Sequence, residues 1–375
     1  MISHNIIEIS SSNLLSNINE FRKILSPQTK IIAVIKANAY GHGIKEVAKV
    51  IENNIDFFQV DDINELKELR EVSQKKTFVF GYVMEKDLEQ LIDMNGVPGI
   101  YSLRQIELLN QIGARRSRKV PVHLCIDSKL GRDGILASEL EDFIKNLANF
   151  NNIEIEGFYS HFANIEDTND RSHAENQILA FQNAERIMRK YGYDNAISHI
   201  SATSGILEYD QYTNKHYLVR LGIGLYGLWP SKELAEKHYK DITLKPVISV
   251  KSILAQIKTL PPNHTIGYGL TYITEKEMKI GIIPFGYSDG ISRSLSNKGF
   301  VLIQGKKCKI LGRISMNMMV VDLSEVQNAQ LEEEVVILGK QGSEEIAAED
   351  IATLAGTINY EILAQINPKI VRIIN

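Results

Sequence analysis

The chain has 375 residues, more than one small hydrophobic core organises, so one large domain with an attachment, or two domains, is expected. Its 42 basic and 46 acidic residues leave a net charge of -4, which supplies no field for a nucleic acid backbone or an anionic membrane surface, and neither partner is expected. Two cysteines, Cys125 and Cys308, lie far apart without metal-ligand spacing, which argues against a disulfide framework and a metal site and fits a reduced cytoplasm.

The N-terminus, MISHNIIEISSSN, lacks a basic start and a continuous apolar core, and nowhere do about 18 apolar residues run together. A cytoplasmic chain that is not exported is expected. The first helix follows in SSNLLSNINEFRKILSP, where Leu14, Leu15, Ile18, Phe21 and Leu25 share one face, serines cap the start and Pro27 stops it. Short β-prone runs then alternate with helical patterns: residues 31–35, 57–60, 77–80, 99–102, 120–126, 154–160, 197–200 and 217–222 read as strands. Amphipathic stretches separate most of them. In VDDINELKELREV, Ile63, Leu66, Leu69 and Val72 fall on one face, the pattern of a crossover helix between parallel strands. Eight such units within residues 1–236 predict an α/β domain of the (β/α)8 or TIM barrel type, whose active site lies at the carboxyl ends of the strands.

Residues with chemical potential fall at those ends. Lys36 follows the first strand in AVIKANAYGHG, Arg132 stands in the loop after the fifth, His161 follows the sixth, Ser204 the seventh, and Arg220 lies on the eighth. Any one of them alone reads as a solvated surface group; five from separate units read as one mouth. After LYGLWPS the texture changes to β-branched runs joined by glycine or acidic turns: LKPVISVKSILAQIKTL, KIGIIPFGY, FVLIQGKKCKILGRI, MMVVDL and EEVVILGK, with one helical pattern near EDIATLAG. Residues 237–375 are therefore expected to form a second, mostly β domain.

Seven motifs, AVIKANAYGHG (33–43), GFYSHFA (157–163), VRLGIGLYGL (219–228), GYG (267–269), IIPFGYSDGISR (282–293), GRISMNMMVVDL (312–323) and TINYEIL (357–363), together resemble the alanine racemase family. These are two-domain, barrel-type enzymes that depend on pyridoxal 5′-phosphate (PLP), and the resemblance covers nearly the whole chain. It implies an isomerase that interconverts L- and D-alanine by a two-base mechanism and supplies D-alanine for peptidoglycan synthesis. Lys36 is implied as the residue that holds PLP as an imine. A lysine in a low-dielectric pocket loses its proton more easily, and the neutral amine condenses with an aldehyde. Tyr40 matches a position that donates its hydroxyl to the cofactor phosphate, and Ser204 in ATSG, the close approach allowed by Gly222, the amide of Ile223 and the hydroxyl of Tyr360 complete the implied phosphate site.

Racemisation removes a Cα proton on one face and returns one on the other, so two bases are needed. Lys36 serves one face, and the resemblance assigns the other to Tyr268, contributed by a second subunit; this implies a head-to-tail homodimer with shared active sites. A tyrosine titrates near pH 10, so Tyr268 needs positive charge or a relay, which His161 and Arg220 are expected to supply. Arg220 is also implied opposite the pyridine nitrogen, where a group that only donates keeps that nitrogen unprotonated and the ring a weaker electron sink. Arg132 in DSKLGRDG and the amide of Met316 are implied to hold the substrate carboxylate, and Tyr287 to stand at a narrow entrance to the site.

The chain departs from the family pattern at several positions. Cys125 replaces a lysine that is often carbamylated and supports the carboxylate-binding arginine, so an anion, a water or Lys129 is expected to alter that support. Asn317 stands in place of an aspartate, Thr203 of an asparagine and Lys369 of an arginine. These changes leave room for a racemase of serine or lysine. A non-catalytic PLP-carrying barrel protein is the remaining alternative, but such proteins lack the second domain and a counterpart of Tyr268.

Overall fold

The computed structural model describes residues 3–209 and 218–375. By contact these gather into two compact units, one built from the described parts of residues 14–36 and 48–245, the other from residues 3–13, 37–47 and 246–375.

The first unit is a parallel barrel. Its strands are β1 (Lys30–Val34), β2 (Phe57–Val60), β3 (Thr77–Val79), β4 (Gly96–Ile100), β5 (Val120–Asp127), β6 (Ile153–Tyr159), β7 (Ile197–His199) and β8 (Leu218–Leu221). They pair in the order β8-β1-β2-β3-β4-β5-β6-β7, all neighbours parallel. Across the remaining gap the Arg220 amide donates to the Ser201 carbonyl at 3.0 Å, so the ring is nearly closed. Strands covered on both faces read as apolar runs rather than alternations; β1 does so from Ile31 to Val34, and β2 does so apart from the buried Gln59. Tyr217, included in the expected eighth strand, lies outside the described residues.

Two local readings change for identifiable reasons. Strand β4 begins at Gly96, three residues before the expected start, although Gly-Val-Pro-Gly reads as a turn. A side chain on Gly96 would press on Leu91 and Leu66, and one on Gly99 would strike the Tyr159 hydroxyl. These glycines answer packing needs inside and outside the barrel, which local turn chemistry does not register. In helix Ser11–Ile24, Leu15 is only half-buried and Asn17 is fully buried instead. Its amide donates to the carbonyls of Leu225 (3.1 Å) and Lys245 (2.9 Å) and accepts from the Lys245 amide (2.8 Å), which satisfies the buried polar group. Helix Ile63–Arg70 buries Ile63, Leu66 and Leu69 as its spacing predicts, capped by Asp62, which accepts from the amides of Asn64 and Glu65 at 2.8 and 3.0 Å.

After Lys36 the backbone makes a left-handed turn: Ala37, Asn38, Ala39 and Tyr40 all have φ of 52–53°, followed by Gly41 at 79° and Gly43 at 100°. Non-glycine residues pay about 1–2 kcal/mol each for this conformation, so tertiary packing must enforce it. A side chain on Gly41 would collide with the Leu363 carbonyl. Helix Ile44–Ile51 follows, with Ile44, Val47, Ala48 and Ile51 buried.

The second unit holds a ten-stranded, mostly antiparallel sheet. Its strand Ile6–Ile9 lies between an antiparallel partner, Ile248–Ile253, and a parallel one, Val371–Ile374. A small hairpin, Thr265–Ile266 with Tyr272–Ile273, carries the 3-10 turn Tyr268–Leu270. Leu260, Ile266, Met278, Ile280 and Leu311 form an apolar cluster beneath it.

Candidate active site

In the barrel unit the polar groups collect where the strands end. Lys36 follows β1 after one residue, Ile35, and its side chain is 41% exposed, with Nζ 3.4 Å from Asp61 Oδ1 just beyond β2. Sequence reasoning passed over Asp61, although it too stands at a strand end.

Arg220 on β8 points inward and is 5% exposed. Its terminal nitrogens donate to the carbonyls of Ser160 (2.7 Å) and Ile200 (3.0 Å), to His199 Nδ1 (2.7 Å) and to His161 Nδ1 (3.2 Å). A guanidinium has no acceptor, and this fixes the histidines. His199 must present a lone pair at Nδ1, so its proton is on Nε2 and goes to His123 Nδ1 at 3.0 Å. His123 in turn carries its proton on Nε2, 3.9 Å from Glu156 Oε2. The other oxygen of Glu156 pairs with Lys76, which precedes β3 at the amino end of the barrel. One directed chain of donors thus runs from Arg220 through His199 to His123, where it stops, since His123 Nε2 has no hydrogen-bond acceptor among the described residues; Tyr159 stacks on Phe80 at 4.0 Å beside it.

Charge follows from burial. Burial pushes His123 down to about 3, helped by the charges of Lys76 and Arg220. His161 falls to about 3 for the same first reason, with Arg220, Arg132 and Lys36 adding to it. His161, expected as a source of positive charge, is therefore a neutral acceptor at pH 7. Arg220, brought down to about 10 by burial, keeps its proton there and is the cation of this cluster.

Beyond β7, Ser204 and Thr203 open helix Thr203–Glu208. Ser204 Oγ donates to Glu166 Oε1 at 2.6 Å, so the hydroxyl is already directed at an anionic oxygen. Thr203 Oγ1 accepts from the amides of Gly222 (3.2 Å) and Gly224 (3.3 Å). Ile223 begins the 3-10 helix Ile223–Tyr226, and such first-turn amides have no acceptor within their own helix. Gly224 admits the Phe21 ring where a side chain would stand. A primary amine, a hydroxyl aimed at an anion, first-turn amides and a buried permanent donor suit a phosphorylated aldehyde, so the residues present fit PLP.

Arg132 lies in the loop after β5, its side chain 62% exposed, and Nε donates to Asp133 Oδ1 at 2.9 Å. The Cys125 thiol is buried, and burial together with the Asp133 charge pushes it up to about 12, so it stays neutral.

In the second unit the rings of Tyr40 and Tyr360 lie 6.1 Å apart, tilted by 48°. Tyr268 is 70% exposed, between Gly267 (φ 74°) and Gly269 (φ 72°), and the Arg313 guanidinium fills the space where a Gly269 side chain would be. Tyr287 is half-exposed, and its amide donates to the Ser315 carbonyl at 3.1 Å. The neighbouring Ser288 amide donates to the Met316 carbonyl at 2.9 Å, and Asn317 Nδ2 to Ser288 Oγ at 2.9 Å. The SMN turn and the GYSDG loop are thereby locked together without an ionised side chain at 317.

Known proteins share this arrangement along the whole chain. Residues 9–230 match the model of the alanine racemase N-terminal domain, and residues 247–374 that of its C-terminal domain. The chain belongs to the alanine racemase family. It is 35% identical to the alanine racemase of Methanococcus maripaludis, over 100% of this chain and 99% of the relative. Among solved alanine racemases, that of Clostridium difficile 630 superposes with a TM-score of 0.92 at 31% identity, covering 100% of this chain and 96% of that one. The Bartonella henselae alanine racemase, solved with covalently bound pyridoxal phosphate, gives 0.86 at 28% identity with 100% of both chains covered. Alanine racemases are PLP-dependent isomerases. No helix among the described residues is long and apolar enough to cross a membrane.

Proposed function

We propose that this protein interconverts L- and D-alanine with PLP held through Lys36, acting in the cytoplasm as a homodimer with shared active sites and supplying D-alanine for peptidoglycan. The observation that carries this reading is the match of both domains, end to end, to proteins of that activity. Once bound, PLP supplies the electron sink for the carbanion left when Cα loses its proton. The chain's own groups do the rest. Lys36 presents an amine at the end of β1 and moves a proton on one face of Cα. Tyr268 serves the opposite face, and a phenol 70% exposed on its own subunit is suited to a second copy's site. Arg220, donor only and held by five hydrogen bonds, would keep a ring nitrogen presented to it free of a proton and so restrain the sink. Ser204, the Gly222–Ile223 segment, Tyr40 and Tyr360 take the phosphate, with His161 beside Arg220. Arg132 and the Met316 amide bind the carboxylate, and Tyr287 limits the size of the substrate.

The test is to incubate the PLP-loaded protein in deuterated water with L-alanine, L-serine or L-lysine and follow Cα-proton loss and the D/L ratio. Exchange with inversion, fastest for alanine, is expected. Inversion fastest for serine or lysine would change the substrate, and no inversion with any of them would replace the enzyme reading by a cofactor-carrying one.

A further inference from the structure

We infer that Asp133 is the fixed anion that positions Arg132 for a substrate carboxylate, a role that rests on the reading of Arg132 given above. The loop holding both residues is pinned at each end. Asp127 Oδ1 accepts from the amides of Leu130 (2.8 Å) and Gly131 (3.1 Å), and Gly131 has φ of 73°. At the other end Gly134 (φ 120°) passes so close to β5 that an added side chain would lie 2.7 Å from the Asp127 amide and 3.2 Å from Cys125 Sγ. Ile135–Leu136 then pairs with the end of β5. Arg132 and Asp133 are the only two residues between these fixed points, so the carboxylate is held in the neighbourhood of Cys125.

The surroundings of Asp133 need an anion of its kind. The thiol of Cys125 and the phenol of Tyr159 are both buried and both neutral, each pushed up first by burial and further by the Asp133 charge. Neither can balance a guanidinium. Asp133 can, and it does so on one edge of the fork: it accepts from Nε, and among the described residues neither Nη1 nor Nη2 of Arg132 has an acceptor. The remaining edge, with two parallel N–H groups, matches a carboxylate in bidentate geometry. A pair this exposed contributes little to stability, so its effect belongs in binding.

The probe is propionate, which carries the substrate's carboxylate without its amine, used as an inhibitor of the PLP-loaded enzyme alongside L-alanine kinetics. Asp133→Asn should raise both the propionate inhibition constant and the KM for alanine about tenfold, the loss expected for one charge-assisted hydrogen bond, with kcat changed much less. Asp133→Glu should recover most of the loss, and the unfolding midpoint should hold in both variants. If Arg132→Lys raises both constants while Asp133→Asn leaves them within about twofold, the role of Asp133 is overturned. If Arg132→Lys itself leaves propionate binding unchanged, the reading of Arg132 fails, and the inference with it.

Discussion

Replacing His123 by glutamine should flatten the pH dependence of stability by a calculable amount. His123 is 1% exposed and neutral, with Lys76 and Glu156 on one side and His199 and Arg220 on the other. Its ordinary value near 6.5 falls to about 3 in the folded protein. Between those values the unfolded chain binds a proton here that the folded chain refuses, so the group's stabilising contribution is complete above 6.5 and is lost as the pH falls towards 3. Integrated from pH 7 to pH 5, the loss is about 2 kcal/mol, and any folded value below about 4 gives the same figure. Glutamine cannot titrate, but its carbonyl can still accept from His199 Nε2. Urea unfolding followed by circular dichroism at pH 7 and pH 5 gives the change in stability for each protein. The wild type should lose about 2 kcal/mol more than His123→Gln, whatever the variant costs at pH 7, because other titrating groups are common to both. Equal losses would mean that His123 is already protonated at pH 5 in the folded state, and the directed donor chain to Arg220 would be wrong.

Other consequences are open to direct measurement. Lys36→Ala and Tyr268→Phe chains, each inactive alone, should regain about a quarter of wild-type activity when unfolded and refolded together, because random pairing leaves one intact site in every mixed dimer; no recovery would place both bases on one subunit. Cys125→Lys should make turnover respond to bicarbonate, since a carbamylated amine there adds an anion beside Arg132, and more strongly when Asp133 is also Asn; an unresponsive pair of variants removes position 125 from carboxylate binding. Glu208, 6% exposed, meets Lys237 at 2.6 Å, His238 at 2.7 Å and Arg171. Burial alone would raise its carboxyl, but hydrogen bonds from His238 and Lys237 hold it below the usual range, so this stabilisation is present at neutral pH and fades in acid. Glu208→Gln should cost about 2 kcal/mol and lower Tm by several degrees at pH 7, with a smaller difference near pH 4.

Much of the barrel can be read from the chain because parallel strands carry a local signature. β2 stands at residues 57–60 as expected although it carries the polar Gln59, while β1 differs by a single residue at either end. Helix faces were legible where the buried residue is apolar. Asn17 was not, because its burial depends on carbonyls more than 200 residues away. Strand β4 starts three residues before the expected Gly99 because Gly96, followed by Val97 and Pro98, looks like a turn residue until its neighbours are in place. In the site, residues such as Lys36 and Arg220 were found because their positions at strand ends are periodic. The tautomers of His123 and His199 follow only from a donor brought close by folding, and no spacing in the sequence encodes them. The neutrality of His161 likewise comes from burial next to three cations rather than from its motif.

The strand Ile6–Ile9, flanked in the sheet by two partners from far along the chain, sets a timing problem for the cell. It is translated roughly 240 residues ahead of its antiparallel partner and more than 360 ahead of its parallel one. At about 5–20 residues per second, the ribosome leaves this β-prone segment without either neighbour for about 12–50 s. Such a segment is a template for the wrong strand, from the same chain or from the next nascent chain on the message. The polar residues that bracket it, Ser3, His4 and Asn5 before and Ser10, Ser11 and Ser12 after, with Glu8 inside, keep the waiting stretch short and broken. Nascent chains stalled before residue 248 should therefore hold this segment open to a protease, and chains long enough to expose residue 253 should begin to shield it.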